Sequence, residues 1–324
     1  MRRILLGALA LAGLVVASAR AEAGAALDRI RATHVLVCGT PTTVDDYAKT
    51  WTHGNLQRLA ADQCRALAIA TLGPHGKARL IGYPERGQGL AALRAGRIQV
   101  LLGDTPDPAD AALYRVAYGP SLFEDGQGFL VARSAGIRTL EDFAGRQVCF
   151  IAGTAAERRL VAAFQARGID FLPFPFEEMG EMEAALVTGH CAAITADRSA
   201  LAVMRTGFHA RIGDFVILDQ TISQEPLAPV YRRGDPAWAA IVDGTIRTLA
   251  EAEALGVTQA NFDAMKQSDD PAVAALLRTR AAPAIAAVGN AGEIFARDLG
   301  EHSPLHLERQ AELVPSDAAG SLPR

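Results

Sequence analysis

Beyond residue 30, apolar residues first gather in Val35–Cys38, a short run of the β type. They then fall on one helical face at Leu56, Leu59 and Leu67. Arg79–Tyr83 and Ile98–Leu102 read as two further strands, with Leu90 and Leu93 marking a helix between them. The same alternation then starts again. Gln147–Ile151 reads as a strand, Ala152-Gly153-Thr154 as a turn and Ala155–Arg167 as a helix. Phe171–Phe174, Ala192–Ala196 and Phe215–Leu218 follow as strands, separated by helices over Glu178–Thr188 and Arg198–Arg205. Beyond Trp238 the pattern is mainly helical. Strands alternating with helices predict an α/β chain, and the restart predicts two βαβ lobes with a cleft between them.

In open parallel sheets, ligands meet the carboxyl ends of strands, where loops and helix N-termini converge. That rule selects Asp104-Thr105 after the third strand, Gly153-Thr154 after the restart strand and Asp197 after Ala192–Ala196. These ends predict a cleft binder.

The chain has 324 residues, enough for one large domain or two medium ones. Its net charge of −4 is spread along the sequence, and aromatic residues make up only 6% of it, so there is no basic or stacking footprint for nucleic acid. The N-terminus changes the picture more. Met1-Arg2-Arg3 is a short basic segment, Ile4 to Ala17 is almost wholly apolar, and Ala19-Arg20-Ala21 has the small-x-small form that signal peptidase cuts. The apolar run is shorter than the ~20 residues needed to cross a bilayer. Residues 1–21 are therefore expected to be a cleavable signal peptide, and the mature protein to be periplasmic.

Four cysteines remain after that cleavage: Cys38, Cys64, Cys149 and Cys191. In an oxidising compartment an even count points to disulfides, with three connectivities open. Spacing makes Cys38–Cys64 and Cys149–Cys191 the local pairs. There is no CxxC spacing, and His53, His75, His190 and His209 are scattered without an HExxH pattern, so neither a metal nor a cofactor is expected. Gly87-Gln88-Gly89 lacks the third glycine of a dinucleotide fingerprint.

Several stretches between Cys38 and about Leu305 resemble the general L-amino-acid-binding subfamily of ABC-transporter solute-binding proteins, within solute-binding protein family 3. They include Cys38-Gly39, Cys64-Arg65-Ala66, Asp125-Gly126-Gln127-Gly128-Phe129, Ile222-Ser223-Gln224-Glu225-Pro226-Leu227 and Arg233-Gly234-Asp235. Leu255-Gly256-Val257-Thr258 with Asn261, and Val288-Gly289-Asn290 with Gly292-Glu293-Ile294-Phe295, extend the match. All four cysteines fall where that subfamily carries its own. The resemblance implies a type II periplasmic-binding-protein fold, two lobes joined by two hinge strands. Lobe 1 would begin with residues 22–126 and be completed by 231–324. The hinge strand would be 127–131, lobe 2 would be 132–218 and the return hinge 219–230. The implied partners are a small polar ligand, an amino acid or related amine, and an ABC permease, with the chain acting as a monomer.

An α-amino acid offers a carboxylate, best held by a bidentate Arg and helix N-terminal N–H groups, and an ammonium, best held by a carboxylate. The resemblance puts Asp197 on the ammonium, Thr154 and the backbone of Ala155 on the carboxylate, and Tyr47 against the ligand. Thr154 and Asp197 are equally placed to be plain helix N-caps. In the resembled family the Arg lies just after the third strand. Here the segment Leu102 to Ala111 has none, and the nearest candidate is Arg115. Truncating one partner of such a pair costs about 2–5 kcal/mol, roughly thirty-fold to several-thousand-fold in affinity. The segment instead carries Asp104, Asp107 and Asp110, which would repel a carboxylate. Together with Thr105, Asp104 is expected to line a pocket for a cationic ligand lacking the α-carboxylate. Two alternatives stand beside transport. One is an accessory or sensor protein with a vestigial pocket. The other is an enzyme similar to cyclohexadienyl dehydratases, with Glu157 as its acid or base.

Overall fold

The computed structural model describes residues 24–41, 53–309 and 312–313. The apolar N-terminal segment and Tyr47 lie outside them. The first apolar run forms β1 (Val35–Pro41), after helix α1 (Ala25–Thr33), and is followed by α2 (His53–Leu72), β2 (Lys77–Tyr83), α3 (Arg86–Arg94) and β3 (Val100–Asp104). Then come α4 (Pro108–Leu113), β4 (Val116–Tyr118), β5 (Phe123–Asp125) and β6 (Gln127–Ala132). The restart is β7 (Gln147–Ile151), α5 (Ala155–Ala166), β8 (Leu172–Phe176), α6 (Met179–Thr188), β9 (Ala193–Asp197), α7 (Arg198–Thr206), β10 (Phe215–Ile217), β11 (Gln220–Thr221) and β12 (Glu225–Arg232). Helices α8 (Pro236–Ala254), α9 (Phe262–Met265), α10 (Pro271–Leu277), α11 (Ala282–Val288) and α12 (Ala291–Asp298) make up the tail, with a short β13 (Glu312–Leu313).

The chain divides into two compact units. Among the described residues the first holds 24–41, 60–122 and 228–294, and the second holds 53–59, 123–227, 295–309 and 312–313. The first unit is a sheet in the order β2-β1-β3-β12-β4, with β1 parallel to β2 and β3, and β12 antiparallel to β3 and β4. The period of two along β3 sends Val100 and Leu102 into one core and Leu101 into the other. Burial on both faces is why these strands read as continuous apolar runs rather than alternating ones. Trp238 of α8 closes the first core, its indole Nε1 donating to the Gln99 carbonyl at 2.8 Å.

The second unit repeats the plan in the order β10-β6-β9-β7-β8, with β7 parallel to β8 and β9 and β6 antiparallel to β9 and β10. Phe129, Val148 and Phe150 face α5 residues Leu160 and Phe164, while Leu130, Cys149 and Ile194 face Met182, Leu186 and Leu201 of α6 and α7. Each unit carries one disulfide. Cys38–Cys64 ties β1 to α2 across 6.1 Å between Cα atoms, and Cys149–Cys191 ties β7 to the approach to β9 across 5.9 Å. Of the three connectivities open to the sequence, the local one forms. Closing loops of this length stabilises by about 3–4 kcal/mol each in the chain-entropy account.

One of the shifted strand ends bears on the site. The strand read as Ile98–Leu102 runs two residues later and carries Asp104 as its last residue, opposite Ala228 of β12. A carboxylate is tolerable inside a sheet because a cation reaches it there, as described below.

Glu183 sits buried on α6 beside Met182 and Leu186, and burial pushes its carboxyl up to about 7 from an ordinary 4.5. A folded-state value raised this way leaves stability intact below about pH 4.5 and removes it as pH climbs through 7. Glu183→Gln keeps the shape and drops the charge. The variant should match the parent at pH 4 and exceed it by about 2–3 kcal/mol at pH 8, read by urea denaturation. Equal stability at pH 8 would mean that Glu183 is hydrated when it ionises.

Candidate functional site

In the first unit, the strand ends are organised by a residue outside the expected set. Arg86 opens α3 just past the end of β2. Its Nε donates to Asp104 Oδ1 at 2.6 Å and its Nη2 to Asp104 Oδ2 at 3.2 Å, so the fork grips that carboxylate with two bonds. Nη2 also donates to the Thr105 carbonyl at 2.9 Å and to the Tyr118 hydroxyl at 3.2 Å, and Nη1 pairs with Asp110. Tyr118 in turn donates to Asp104 Oδ2 at 3.3 Å. Burial works against the charge on Arg86, but its bonds to Asp104 and the fields of Asp104, Tyr118 and Asp110 outweigh it and hold the guanidinium above its ordinary value.

This corrects the expectation of a free acidic loop. Asp104 is buried, 3% exposed, and spends both oxygens on Arg86 and Tyr118. Asp107 caps α4, accepting from Ala109 N at 2.7 Å and Asp110 N at 3.1 Å, and those backbone bonds hold its carboxyl below the ordinary carboxylate range. One cation set against Asp104 and Asp110 leaves the cluster with a single net negative charge. Arg115 does not enter it. That residue is exposed and sits past the end of α4 with a left-handed φ of 56°. Arg86 was legible in principle, because the strand-end rule also applies to β2; nothing in its own segment, Glu85-Arg86-Gly87, marks it.

In the second unit the candidates converge on Gln127. This residue opens β6 and pairs with Asp197 at the end of β9. Its Nε2 donates to the Ala156 carbonyl at 2.8 Å and to Thr195 Oγ1 at 3.0 Å, which ties the first turn of α5 to the sheet beside Asp197. Thr154 is the N-cap of α5. Its Oγ1 accepts from Glu157 N at 3.2 Å and donates to the Ile151 carbonyl at 2.7 Å. Ala155 and Ala156 then present the first N–H groups of a twelve-residue helix, where the helix dipole favours an anion. Glu157 serves the same turn, its Oε2 accepting from Gly153 N at 2.6 Å.

Asp197 behaves otherwise. It stands at the N-cap of α7 but its side chain makes no capping bond. The capping work falls to Asp125, whose Oδ1 accepts from Ser199 N at 3.3 Å and Gly126 N at 2.9 Å. Burial pushes the Asp197 carboxyl up to about 7, the fields of Glu225 and Asp125 push the same way, and Arg159 opposes them. Glu225 is held in place by Arg159 at 2.9 Å and by the Ser223 hydroxyl at 2.7 Å. The result is a half-buried carboxylate in a field of carboxylates, not used by its own helix. Among the described residues no group of three His, Cys, Asp or Glu is arranged to hold a metal ion. An organic ammonium matches the charge and the hydrogen-bonding need of Asp197.

With this geometry in hand, comparison with known proteins gives consistent matches. The chain is 32% identical over 326 residues to the general L-amino-acid-binding periplasmic protein AapJ of Rhizobium johnstonii, covering 95% of each chain. It is 31% identical over 322 residues to the glutamate/glutamine/aspartate/asparagine-binding protein BztA of Rhodobacter capsulatus, covering 94% of this chain and 93% of that one. Among solved structures, an ABC-transporter periplasmic binding protein from Brucella ovis with glutathione bound matches with a TM-score of 0.69. Its identity is 31%, covering 87% of this chain and 93% of that one. No family model matches the chain.

Proposed function

The chain belongs to the periplasmic solute-binding proteins of amino-acid ABC transporters, with their type II fold, and from that membership we propose that it captures an amine-bearing solute whose ammonium sits on Asp197. AapJ and BztA are named as amino-acid-binding proteins and the Brucella relative as an ABC-transporter periplasmic binding protein, and the chain captures solute for ABC import. In this reading residues 1–21 are removed on export and the mature monomer delivers its ligand to a membrane permease. The observation that carries the ligand class is the Asp197 carboxylate, half-buried, pushed up to about 7 and free of any helix-capping bond. A cation in contact with it restores the ionised form and recovers what burial and the neighbouring acids cost.

Arg86 already spends its donors on Asp104, Asp110, Thr105 and Tyr118, and it can take a carboxylate only by releasing Asp104. The N–H groups of Ala155 and Ala156 remain for a neutral or weakly anionic acceptor. The proposed ligand is therefore an amine related to amino acids but poor in carboxylates.

Isothermal titration of the mature protein with ordinary L-amino acids, polyamines, betaines and glutathione separates the possibilities. Glutathione earns its place because the Brucella relative is bound to it. Saturation by carboxylate-poor amines, with weak or no response to L-amino acids and glutathione, is the expected result. Micromolar saturation by a plain L-amino acid would sink the carboxylate-poor reading. Binding should also depend on pH. With the carboxyl at about 7, Asp197 is mostly protonated at pH 6 and mostly ionised at pH 8, so affinity should fall about tenfold between pH 8 and pH 6. A flat profile would remove Asp197 from the ammonium.

A further inference from the structure

The first unit holds a cavity at the other end of its sheet. Asp104 ends β3 at its carboxyl end, whereas this cavity of about 140 Å³ lies where the chain enters β3 and leaves β12. It is lined by Arg29, Arg232 and Arg233 against a single carboxylate, Asp235, over a floor formed by Gln99 and Trp238. The arginines come from segments some two hundred positions apart, and only the fold gathers them.

The guanidinium groups converge. A Cβ placed on Gly96 would lie 3.7 Å from an Arg232 Nη and 3.8 Å from an Arg29 Nη, so both reach the same point. The one carboxylate is spent elsewhere, since Asp235 Oδ2 accepts from Ala26 N at 3.1 Å and Oδ1 from Trp238 N at 3.1 Å. Arg29 uses a single bond, from Nη1 to the Gly96 carbonyl at 2.9 Å. Gln99 is 5% exposed, and its Oε1 accepts from Val37 N at 3.0 Å, so what its side chain has left to offer is its donor end. Ala25 and Ala26 bring the start of α1 to the same wall, with Gly24 at the cap supplying no side-chain bond of its own. Donors and positive charge thus meet in a recess sized for a small ion.

We propose that this cavity is a binding site for a small phosphate-type oxyanion. A dianion beside the exposed Arg29 and Arg233 meets positive charge that the one lining carboxylate, bonded to Ala26 N and Trp238 N, does not take up. Planar guanidinium forks match tetrahedral oxyanions bidentately, which favours phosphate over chloride. The half-buried Arg232 and buried Gln99 set the depth, and the exposed Arg29 and Arg233 close over the entrance. The site is separate from Asp197 and does not depend on what Asp197 binds.

Trp238 supplies the readout. The chain has two tryptophans, Trp51 and Trp238; in a Trp51→Phe background the emission reports on the cavity floor. Inorganic phosphate, titrated at constant ionic strength into the mature full-length protein, should change Trp238 emission saturably and raise the melting temperature, with chloride doing neither. Arg29→Ala with Arg233→Ala should weaken phosphate binding at least about tenfold, because both side chains are exposed and their loss leaves the core intact. Ligand binding at Asp197 should be unchanged in the same variant, which also serves as the check on folding. A response to phosphate no larger than to chloride, or one that survives the double variant, overturns the proposal. So does binding to vesicles containing phosphatidylglycerol without any response to inorganic phosphate, which would assign the arginines to a lipid surface instead.

Discussion

Asp197→Asn is expected to weaken ligand binding at least about thirtyfold while making the unliganded protein more stable above pH 7. Both effects come from one charge. The carboxylate is held at about 7 by burial, by Glu225 and by Asp125, so at pH 8 the empty site carries an ionised group that its surroundings disfavour. A value raised from 3.8 to about 7 leaves stability whole below about pH 4 and lost above 7. Removing the charge should return about 2–4 kcal/mol at pH 8 and nothing at pH 4. The ammonium of the ligand loses its counter-charge, which in a buried pair costs about 2–5 kcal/mol, and this sets the expected fall in affinity. Calorimetric titration with the ligand found by screening gives the first number, and urea unfolding at the two pH values gives the second. A variant that binds as tightly as the parent would remove Asp197 from the site. One that binds weakly but is no more stable would mean that the carboxylate is solvated when empty. Opposite signs for binding and stability are what a functional residue kept at a cost to the fold produces.

Arg86→Met should cost about 3 kcal/mol of stability without changing which ligands bind. Asp104 is 3% exposed and would be left as a buried carboxylate with Tyr118 as its remaining partner. Breaking a buried pair from one side costs about 3–5 kcal/mol. The guanidinium side is 32% exposed, so water reaches part of the pair and the lower figure applies. Adding Asp104→Asn to Arg86→Met should recover much of the loss, since the second substitution removes the stranded charge. A double-mutant cycle by urea denaturation measures that coupling. Cost below about 1 kcal/mol for the single variant would mean that the pair behaves as a surface bridge. Loss of ligand binding by a stable Arg86→Met protein would overturn the assignment of Arg86 to Asp104 alone.

The elements near these residues were mostly legible along the chain. Gln147–Ile151 has the bounds expected of it, and the helix after it ends one residue early. The strand-end rule found Thr154 and Asp197, because each sits where a β run gives way to a helical period. The same rule stopped short at β2 and so missed Arg86, and it read Asp104 as a loop residue when it closes β3. The roles of the two caps were not legible at all. Thr154 caps its helix and Asp197 does not, although both stand at the same kind of position. The difference is made by Asp125, which reaches the start of α7 from 74 residues away in sequence.

By itself the sequence determined what depends on near neighbours. Short continuous apolar runs and the 3.6 period set the strands and helices, their restart set two α/β units, and four cysteines at local spacing paired within those units. The tertiary structure alone decided the chemistry of charge. Arg86 meets Asp104 from 18 residues away, Glu225 and Asp125 raise Asp197 from other strands, and Asp235 joins the start of α1 across 209 residues. Coulomb forces and desolvation act through space and through the local dielectric, so the state of a charged side chain belongs to its surroundings in the fold, which no local pattern of residues records.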